Sequence, residues 1–322
     1  MAERWSVMSV VLSALVLAGA WSPAALAATN SPSAIVGEKV TFMTEDGVEL
    51  HGNVFKNQSE SDRGAILFVH EPQRSQRDWA YLAQKMTKRG FTSLTFDLRG
   101  HGDSLMRGDE ELDREVFLTE DYLDMRKDVS AASALLTKLV GEEADMHLVG
   151  ADLGSSLALM HGVEVPKVRS VAMISPGLGY DDVNIVGRAA SFDRPLLFVY
   201  SVEDSYSRKS SEVLAKEARG PTHTEVYYGV GHGTKMLSRE PALEAFLQSW
   251  FLGTVITPEG RALADTGKPE AGEKGVEGGI DIEAEKRKLE EQRKAVQQGA
   301  VEDEDEESGK KLGEALDRDP RR

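Results

Sequence analysis

Continuous apolar runs alternate with amphipathic stretches through the middle of the chain. Ala65–His70 is an unbroken apolar run, which is typical of a strand buried on both faces of a parallel sheet. Asp78–Arg89 follows it, with Trp79, Leu82 and Met86 at the spacing of one helix face. The same alternation predicts further strands at Thr92–Asp97, Met146–Gly150, Ser170–Ile174, Leu196–Tyr200 and Glu225–Tyr228, and helices at Asp121–Val140, Leu153–Val163, Ser207–Arg219 and Pro241–Leu252.

Two strand-like segments precede this alternation. Ile35–Thr44 and Val48–Lys56 are joined by Asp46 and Gly47, a pair that is typical of a tight hairpin turn. Antiparallel strands followed by regular strand–helix alternation predict an α/β fold, with a doubly wound and mostly parallel sheet.

The first 27 residues have the pattern of an export signal. Arg4 gives a weakly positive start, Val7–Ala20 is apolar, and Ala25–Ala27 supplies the small residues that a signal peptidase requires. An uncleaved membrane anchor is the alternative, because Val7–Ala28 is long enough to span a bilayer. We expect cleavage, because Pro23 interrupts the apolar run. The mature protein would then be exported, either periplasmic or secreted, and without stable membrane insertion.

The last 69 residues, 254–322, differ in composition from the middle of the chain. From Thr257 onward they are rich in Gly, Glu and Lys and contain no aromatic residue. Such a segment cannot bury enough apolar surface to offset its chain entropy, so we expect it to be mostly disordered, with a possible helix at 280–298. The expected organisation is a signal peptide at 1–27, one domain at 28–253 and a charged tail that could bind a protein partner.

Composition and charge exclude several classes of protein. The chain has no Cys, which excludes a disulfide framework, a thiol nucleophile and cysteine-based metal sites. Its formal charge of −16 disfavours nucleic acid as a partner, because phosphates repel acidic surfaces. The histidines show no metal-ligand spacing, so we expect no metal and no cofactor, and a small molecule as substrate or ligand.

A glycine-rich loop follows the predicted strand Thr92–Asp97. Asp97, Arg99, Gly100, His101 and Ser104 belong to a run that resembles the Asp-x-Arg-Gly-His-Gly-x-Ser signature of the α/β-hydrolase family. The role of this loop is expected to be structural, so we assign no chemistry to His101.

Three further motifs carry the same resemblance, in the chain order nucleophile, acid, histidine. Gly150-Ala151-Asp152-Leu153-Gly154 joins a strand to a helix and resembles the family's nucleophile elbow. Asp204 follows the next-to-last strand and His232 follows the last one, where the family places its acid and its histidine. The resemblance covers residues 35–253 and is greatest to small, exported, lidless hydrolases related to dienelactone hydrolases and serine aminopeptidases.

The elbow residue departs from the usual pattern, because Asp152 occupies the position of the serine. A carboxylate that attacked a carbonyl would form an anhydride, whereas attack on an alkyl carbon gives an ester that activated water can hydrolyse. Haloalkane dehalogenases and epoxide hydrolases resemble this scheme, but they carry a cap that desolvates the nucleophile. The interval Ser175–Pro195 is too short for a cap domain.

The predicted oxyanion hole is a second departure. One donor is the Leu153 N–H, and the other would follow His70 after the third strand. Pro72 has no N–H in that position, which leaves Glu71 as the substitute donor, although its carboxylate would repel a developing oxyanion.

Other residues could replace those assigned. Ser155 and Ser156 fall within the predicted helix after the elbow and are expected to pack there. Ser175, at a strand end, is a pocket-lining residue and a further nucleophile candidate, and Glu203 is the alternative acid to Asp204.

Three hypotheses for the function stay open at this point. The first is a hydrolase of a small organic substrate that uses an Asp152, Asp204 and His232 variant of the triad. The second is a catalytically degenerate family member that keeps the pocket as a binding or interaction module. The third places the function in the charged tail. If Asp152 and Asp204 both flank His232, two carboxylates should raise the pKa of that imidazole.

Overall fold

A computed structural model describes residues 37–180 and 183–253 of the chain. The predicted signal peptide and charged tail lie outside these residues. The main strands of the described part, numbered in chain order, are β1 (Glu38–Met43), β2 (Val48–Phe55), β3 (Ala65–Val69), β4 (Thr92–Phe96), β5 (Met146–Ala151), β6 (Val168–Ile174), β7 (Leu196–Ser201) and β8 (Thr222–Tyr227). The helices are α1 (Ala80–Thr87), α2 (Thr119–Val140), α3 (Leu153–Glu164), α4 (Ser205–Glu217), α5 (Lys235–Arg239) and α6 (Pro241–Phe251).

The main strands form one mostly parallel sheet in the order β1-β2-β4-β3-β5-β6-β7-β8. From β4 to β8 every neighbouring pair is parallel, whereas β2 runs antiparallel to both β1 and β4. This architecture confirms the predicted α/β fold class. It also brings the carboxyl ends of β3, β5, β6, β7 and β8 to one edge of the sheet, which is where ligands bind in such folds.

Helices cover both faces of the sheet, and alternate side chains of the central strands enter one of two hydrophobic clusters. In β3, Leu67 and Val69 pack with residues of α2, α3 and α4, while Ile66 and Phe68 pack with residues of α1, α5 and α6. All four side chains are fully buried, which explains why β3 is an unbroken apolar run. Each such side chain contributes about 1.5–3 kcal/mol of burial free energy.

The predicted elements differ from the observed ones mainly at their ends. The helix expected from Asp78 is a 3-10 turn at Gln76–Trp79 that leads into α1 at Ala80. The last strand begins at Thr222, three residues earlier than expected. Its side chains alternate between exposed and half-buried positions at the edge of the sheet, so its polar first residues gave no apolar signal in the sequence. Two-residue strands at Met106–Arg107 and Glu110–Glu111 were too short to show a pattern.

The segment between β6 and β7 contains no cap domain in its described residues. It has a short hairpin formed by Gly179–Tyr180 and Val183–Asn184, and a 3-10 turn at Ala189–Ser191. Across the described part of the chain, no helix is both long and apolar enough to cross a bilayer.

The loop after β4 is held by buried ion pairs. Arg99 is almost fully buried and contacts Asp128 at 2.7 Å and Asp46 at 2.8 Å. Burial raises the pKa of Asp128 to about 6, against the opposing effect of Arg99. The ring of His101 is buried as well, and its Nδ1 lies 2.8 Å from the Arg99 carbonyl oxygen. The signature loop is therefore a structural anchor, as expected from the sequence.

Candidate active site

Asp152 lies on a sharp turn between β5 and α3. Its φ of 47° and ψ of −120° are strained for a non-glycine residue, at a cost of about 1–3 kcal/mol. A Cβ on Gly150 would lie 2.2 Å from the Gly154 carbonyl oxygen, and one on Gly154 would lie 2.5 Å from the His70 carbonyl oxygen. Only glycine fits at either position, so the two flanking glycines allow α3 to start directly against β3 and β5. This is the geometry of a nucleophile elbow.

His232 lies on the loop after β8 and is oriented by Asp204. The loop turns through Gly231 and Gly233, whose φ angles of 87° and 59° favour glycine. His232 Nδ1 lies 2.6 Å from Asp204 Oδ2. The second carboxylate oxygen of Asp204 accepts a hydrogen bond from the Ser207 N–H and so caps the start of α4. The acid is therefore held by a helix terminus while it orients the histidine.

The opposite edge of the imidazole faces the elbow. His232 Nε2 lies 3.9 Å from Asp152 Oδ2, which is an ion-pair distance and longer than a hydrogen bond. The pKa of His232 is raised to about 10, with Asp152 as the largest cause and Asp204 as the next, against the opposing effect of burial. At neutral pH the imidazole is therefore a cation held between two carboxylates.

Of the two adjacent acids after β7, the structure places Asp204 beside the histidine. Burial disfavours ionisation of Asp204, but its hydrogen bonds with His232 and Ser207 outweigh this effect and lower its pKa. Glu203 instead accepts hydrogen bonds from Ser201 Oγ at 2.6 Å and from the Gly229 N–H at 2.8 Å. Glu203 ties β7 to the loop after β8 and does not contact His232.

The region expected to hold an oxyanion is built at the end of β3 and the start of α3. Among the described residues, no hydrogen bond uses the Leu153 N–H or the Glu71 N–H. His70 Nδ1 lies 2.7 Å from the Glu71 carbonyl oxygen, and His70 Nε2 accepts a hydrogen bond from the Leu98 N–H. Burial lowers the pKa of His70 to about 4, so its ring is neutral and holds this turn in place. Oxyanion stabilisation by Leu153 and Glu71 stays a prediction.

The side chain of Glu71 has a position that sequence reasoning missed. It is buried, and its carboxyl oxygens lie 3.2 and 3.3 Å from the Thr234 nitrogen and 2.9 Å from Thr234 Oγ1. Thr234 is two residues after His232 but 163 positions from Glu71 in the chain. No local pattern links residues so far apart, so only the fold shows the contact.

The serines considered from the sequence have packing or anchoring positions. Ser155 Oγ donates a hydrogen bond to the Asp152 carbonyl oxygen at 2.6 Å inside the first turn of α3, and Ser156 is buried in the same turn. Ser175 is fully buried, and its Oγ accepts a hydrogen bond from the Gly233 N–H at 2.9 Å. Ser175 thus fixes the histidine loop from the end of β6.

Within the described residues, no cluster of three or more acidic or histidine side chains is arranged to hold a metal ion.

The fold and this site together define a protein of the α/β-hydrolase class. The model of the alpha/beta hydrolase family matches residues 64–267, more than half of the chain. The chain therefore belongs to the α/β-hydrolase family, which confirms the resemblance found in the sequence. A comparison with curated proteins gave no significant match.

Solved structures with the same fold differ widely in sequence. A thermostable carboxyl esterase from Bacillus coagulans is 12% identical, with a TM-score of 0.56 over 69% of this chain and 99% of that chain. An esterase from Pyrococcus furiosus is 18% identical, with a TM-score of 0.52 over 67% and 89% of the two chains. A dienelactone hydrolase from Anabaena variabilis is 17% identical, with a TM-score of 0.51 over 67% and 97%. These likenesses show the fold.

Proposed function

We propose that this protein is a hydrolase in which Asp152 is the nucleophile and His232, oriented by Asp204, activates water. One observation carries the proposal. The imidazole lies between the two carboxylates, with Nε2 3.9 Å from the elbow oxygen and Nδ1 2.6 Å from the acid. Similar structures that are named as esterases and as a dienelactone hydrolase support hydrolysis as the class of reaction.

The charge on His232 favours a carboxylate nucleophile over a serine-type mechanism. An imidazole with a pKa of about 10 is protonated at neutral pH and cannot take a proton from a nucleophile. A carboxylate needs no such base, because it is already ionised when it attacks. Asp152 would attack a saturated carbon, form an ester on one of its oxygens and expel the leaving group with its bonding electron pair.

Formation of this ester prepares the second step. The ester removes the negative charge of Asp152 and weakens its interaction with the imidazole, and Asp152 is the neighbour with the largest effect on the raised pKa of His232. The imidazole can then lose its proton and become a base for water. Hydroxide adds to the carbonyl carbon of the Asp152 ester, and the Leu153 and Glu71 N–H groups would stabilise the oxyanion that forms. Collapse releases an alcohol and restores the carboxylate, so R–X and water give R–OH and HX, whereas an epoxide, whose leaving oxygen stays attached, gives a diol.

The openness of the site limits the substrates. About 46% of the His232 side chain and 25% of the Asp152 side chain are exposed. A substrate must therefore desolvate the carboxylate itself, because no cap does so in the described residues. This favours small organic substrates with a reactive saturated carbon, such as epoxides and haloalkanes. Lactones and simple esters, which react at a carbonyl carbon, are the substrates to compare with them.

Isotope labelling tests the covalent step directly. In a single turnover in H₂¹⁸O with enzyme in excess, we expect one ¹⁸O atom in the peptide that contains Asp152, because water attacks the Asp152 ester and not the substrate. Asp152→Asn should lose turnover, and His232→Gln should accumulate the ester as a mass increase on the same peptide. Turnover in which ¹⁸O enters only the product would refute Asp152 as the nucleophile.

A binding or interaction module is the second candidate, and one observation favours it. Pro72 lacks the N–H that the family pattern requires, and Glu71 uses its carboxyl group to hold a loop. This candidate predicts that wild type, Asp152→Ala and His232→Ala all lack turnover of epoxides, haloalkanes, lactones and simple esters. It also predicts that Asp152→Ser gains no esterase activity, whereas a gain would show that the remaining machinery is intact.

We also propose that the protein is exported. The apolar run and small residues near Ala27 support this, although residues 1–36 lie outside the described part. N-terminal sequencing of the purified native protein should begin at Ala28. A sequence that retains Val7–Ala20 would contradict cleavage.

A further inference from the structure

Thr234, two residues after His232, contacts the carboxyl groups of Glu71 and Asp78. These contacts have too few hydrogens to be hydrogen bonds if both carboxyl groups are ionised. Thr234 Oγ1 lies 2.9 Å from Glu71 Oε1 and 2.8 Å from Asp78 Oδ2. Both distances are within the ordinary range of O–H···O hydrogen bonds. A hydroxyl group carries a single hydrogen, so it can donate to only one of the two carboxyl groups. The other contact places two oxygen lone pairs against each other unless that carboxyl group carries a proton.

The charges around the network decide which carboxyl group is protonated. Arg74 Nε lies 2.6 Å from Asp78 Oδ2 but 3.6 Å from Glu71 Oε1, so the guanidinium pairs with Asp78. Asp78 is also partly exposed, whereas the Glu71 side chain is only 7% exposed. Burial raises the pKa of Glu71, and the neighbouring charge of Asp152 acts in the same direction, while Thr234 and His232 oppose them.

We propose that Glu71 is a neutral carboxylic acid whose O–H donates a hydrogen bond to Thr234 Oγ1 and thereby fixes the loop that carries His232. Thr234 Oγ1 then donates to Asp78, and the Thr234 N–H donates to the remaining oxygen of Glu71 at 3.2 Å. Every donor and acceptor in this chain has a partner. Glu71 is a positioning residue, since it acts on His232 through Thr234.

The tight packing of the loop supports this arrangement. A Cβ on Gly233, between His232 and Thr234, would lie 1.4 Å from Glu71 Oε2. The loop backbone thus rests directly on the carboxyl group. A neutral acid at this point also avoids a further negative charge near Asp152, and it removes the repulsion expected between an ionised Glu71 and a developing oxyanion.

The protonation state of Glu71 can be measured without a substrate. In the full mature chain labelled with ¹³C at the glutamate Cδ atoms, the Glu71 resonance is identified by its absence in Glu71→Gln. At neutral pH its chemical shift should be that of a protonated carboxyl group, because the pKa of Glu71 is raised above the ordinary 4.5 of glutamate. The chemical shift of an ionised carboxylate at neutral pH would overturn the proposal and would indicate that Thr234 shares one hydrogen between two carboxylates.

Stability against pH gives a second test that does not depend on resolving one resonance. If the folded pKa of Glu71 is raised, the folded state binds more protons than the unfolded state above pH 4.5, and its stability falls as the pH rises through the folded pKa. Gln does not titrate, so the stability of Glu71→Gln relative to wild type should increase across this window. Glu60→Gln, at an exposed glutamate, controls for the loss of one carboxyl group. A decrease in relative stability would refute the neutral acid.

A third measurement tests the positioning role. Thr234→Val removes the hydroxyl group and should release the loop, so that His232 moves away from its carboxylates. We expect a roughly tenfold or greater fall in the proton affinity of His232, while Thr234→Ser keeps the wild-type value. Equal proton affinity in Thr234→Val and Thr234→Ser would refute positioning through this hydroxyl. The effect on catalysis rests on the proposed hydrolysis, but none of these measurements does, so the two proposals can fail independently.

Discussion

His232 is the residue whose chemistry depends most on its neighbours. Free histidine is mostly neutral at pH 7, but here Asp152 and Asp204 hold the ring as a cation. In NMR titrations we expect a pKa of about 10 for His232 in the wild type and a clear fall in Asp152→Asn, because one of the two carboxylates is lost. Glu203→Gln is the matched control, since Glu203 does not contact the ring. A wild-type value near 6.5 would contradict the ion-pair arrangement.

The same shift has a consequence for stability. A histidine with a folded pKa above its unfolded value stabilises the folded state fully below pH 6.5, and this contribution is lost as the pH rises through about 10. The free energy of unfolding of the wild type should therefore decrease over this range relative to His232→Gln. Denaturant unfolding at several pH values measures it, and a constant difference would show that the ion pairs are absent in solution.

Some residues of the site are predictable from the sequence and others are not. Asp152, Asp204 and His232 follow strand ends in a recognisable order, so the sequence alone predicted that they lie together. Glu71 and Ser175 also follow strand ends, but their hydrogen bonds to the backbone and side chain after His232 depend on loop paths. No periodicity encodes a loop path, so these anchors are visible only in the folded chain.

At the scale of elements, the sheet was predictable because burial on both faces leaves a strong pattern. Ala65–Val69 and Leu196–Ser201 have no exposed residue, and the first is apolar throughout while the second is apolar up to Tyr200. The edge strand Thr222–Tyr227 alternates with polar residues, and its start was misplaced for that reason. Helix α5, five residues long, was not predicted, because a single turn shows no helical repeat.

The connection between β4 and α2 provides a prediction at this scale. Arg99 pairs with the fully buried Asp128 and with Asp46, so Arg99→Met would leave a buried carboxylate without its partner. Loss of one partner from a buried pair destabilises a protein by about 3–5 kcal/mol. Chemical denaturation should show this loss. Arg107→Met, which removes an exposed pair with Glu110, should change stability by about 0–1 kcal/mol.

A small effect of Arg99→Met, similar to that of Arg107→Met, would mean that the signature loop does not depend on its ion pairs. The site would then be held mainly by Glu71, Ser175 and the flanking glycines. A large effect would show that Arg99 holds the loop after β4, whose Leu98 N–H also donates to His70 in the turn after β3.

At the scale of the whole molecule, the chain contains a part that forms a hydrophobic core and a C-terminal part rich in Gly, Glu and Lys. Within the described residues, the buried members of both hydrophobic clusters lie between Val48 and Phe251. The family match, however, extends to residue 267, beyond the boundary at 253 that composition suggested. The family match assigns residues 254–267 to the domain, whereas composition assigns them to the tail. Truncated chains distinguish the two assignments.

We expect chains that end at 253 and at 267 to unfold with the same Tm as the mature chain, because every residue of the two clusters is retained. Thermal unfolding followed by circular dichroism measures this. A lower Tm for the chain that ends at 253, but not for the one that ends at 267, would show that residues 254–267 belong to the domain. If the tail binds a partner, both truncations should lose that partner while Tm stays constant, which separates a tethering function of the tail from a stabilising one.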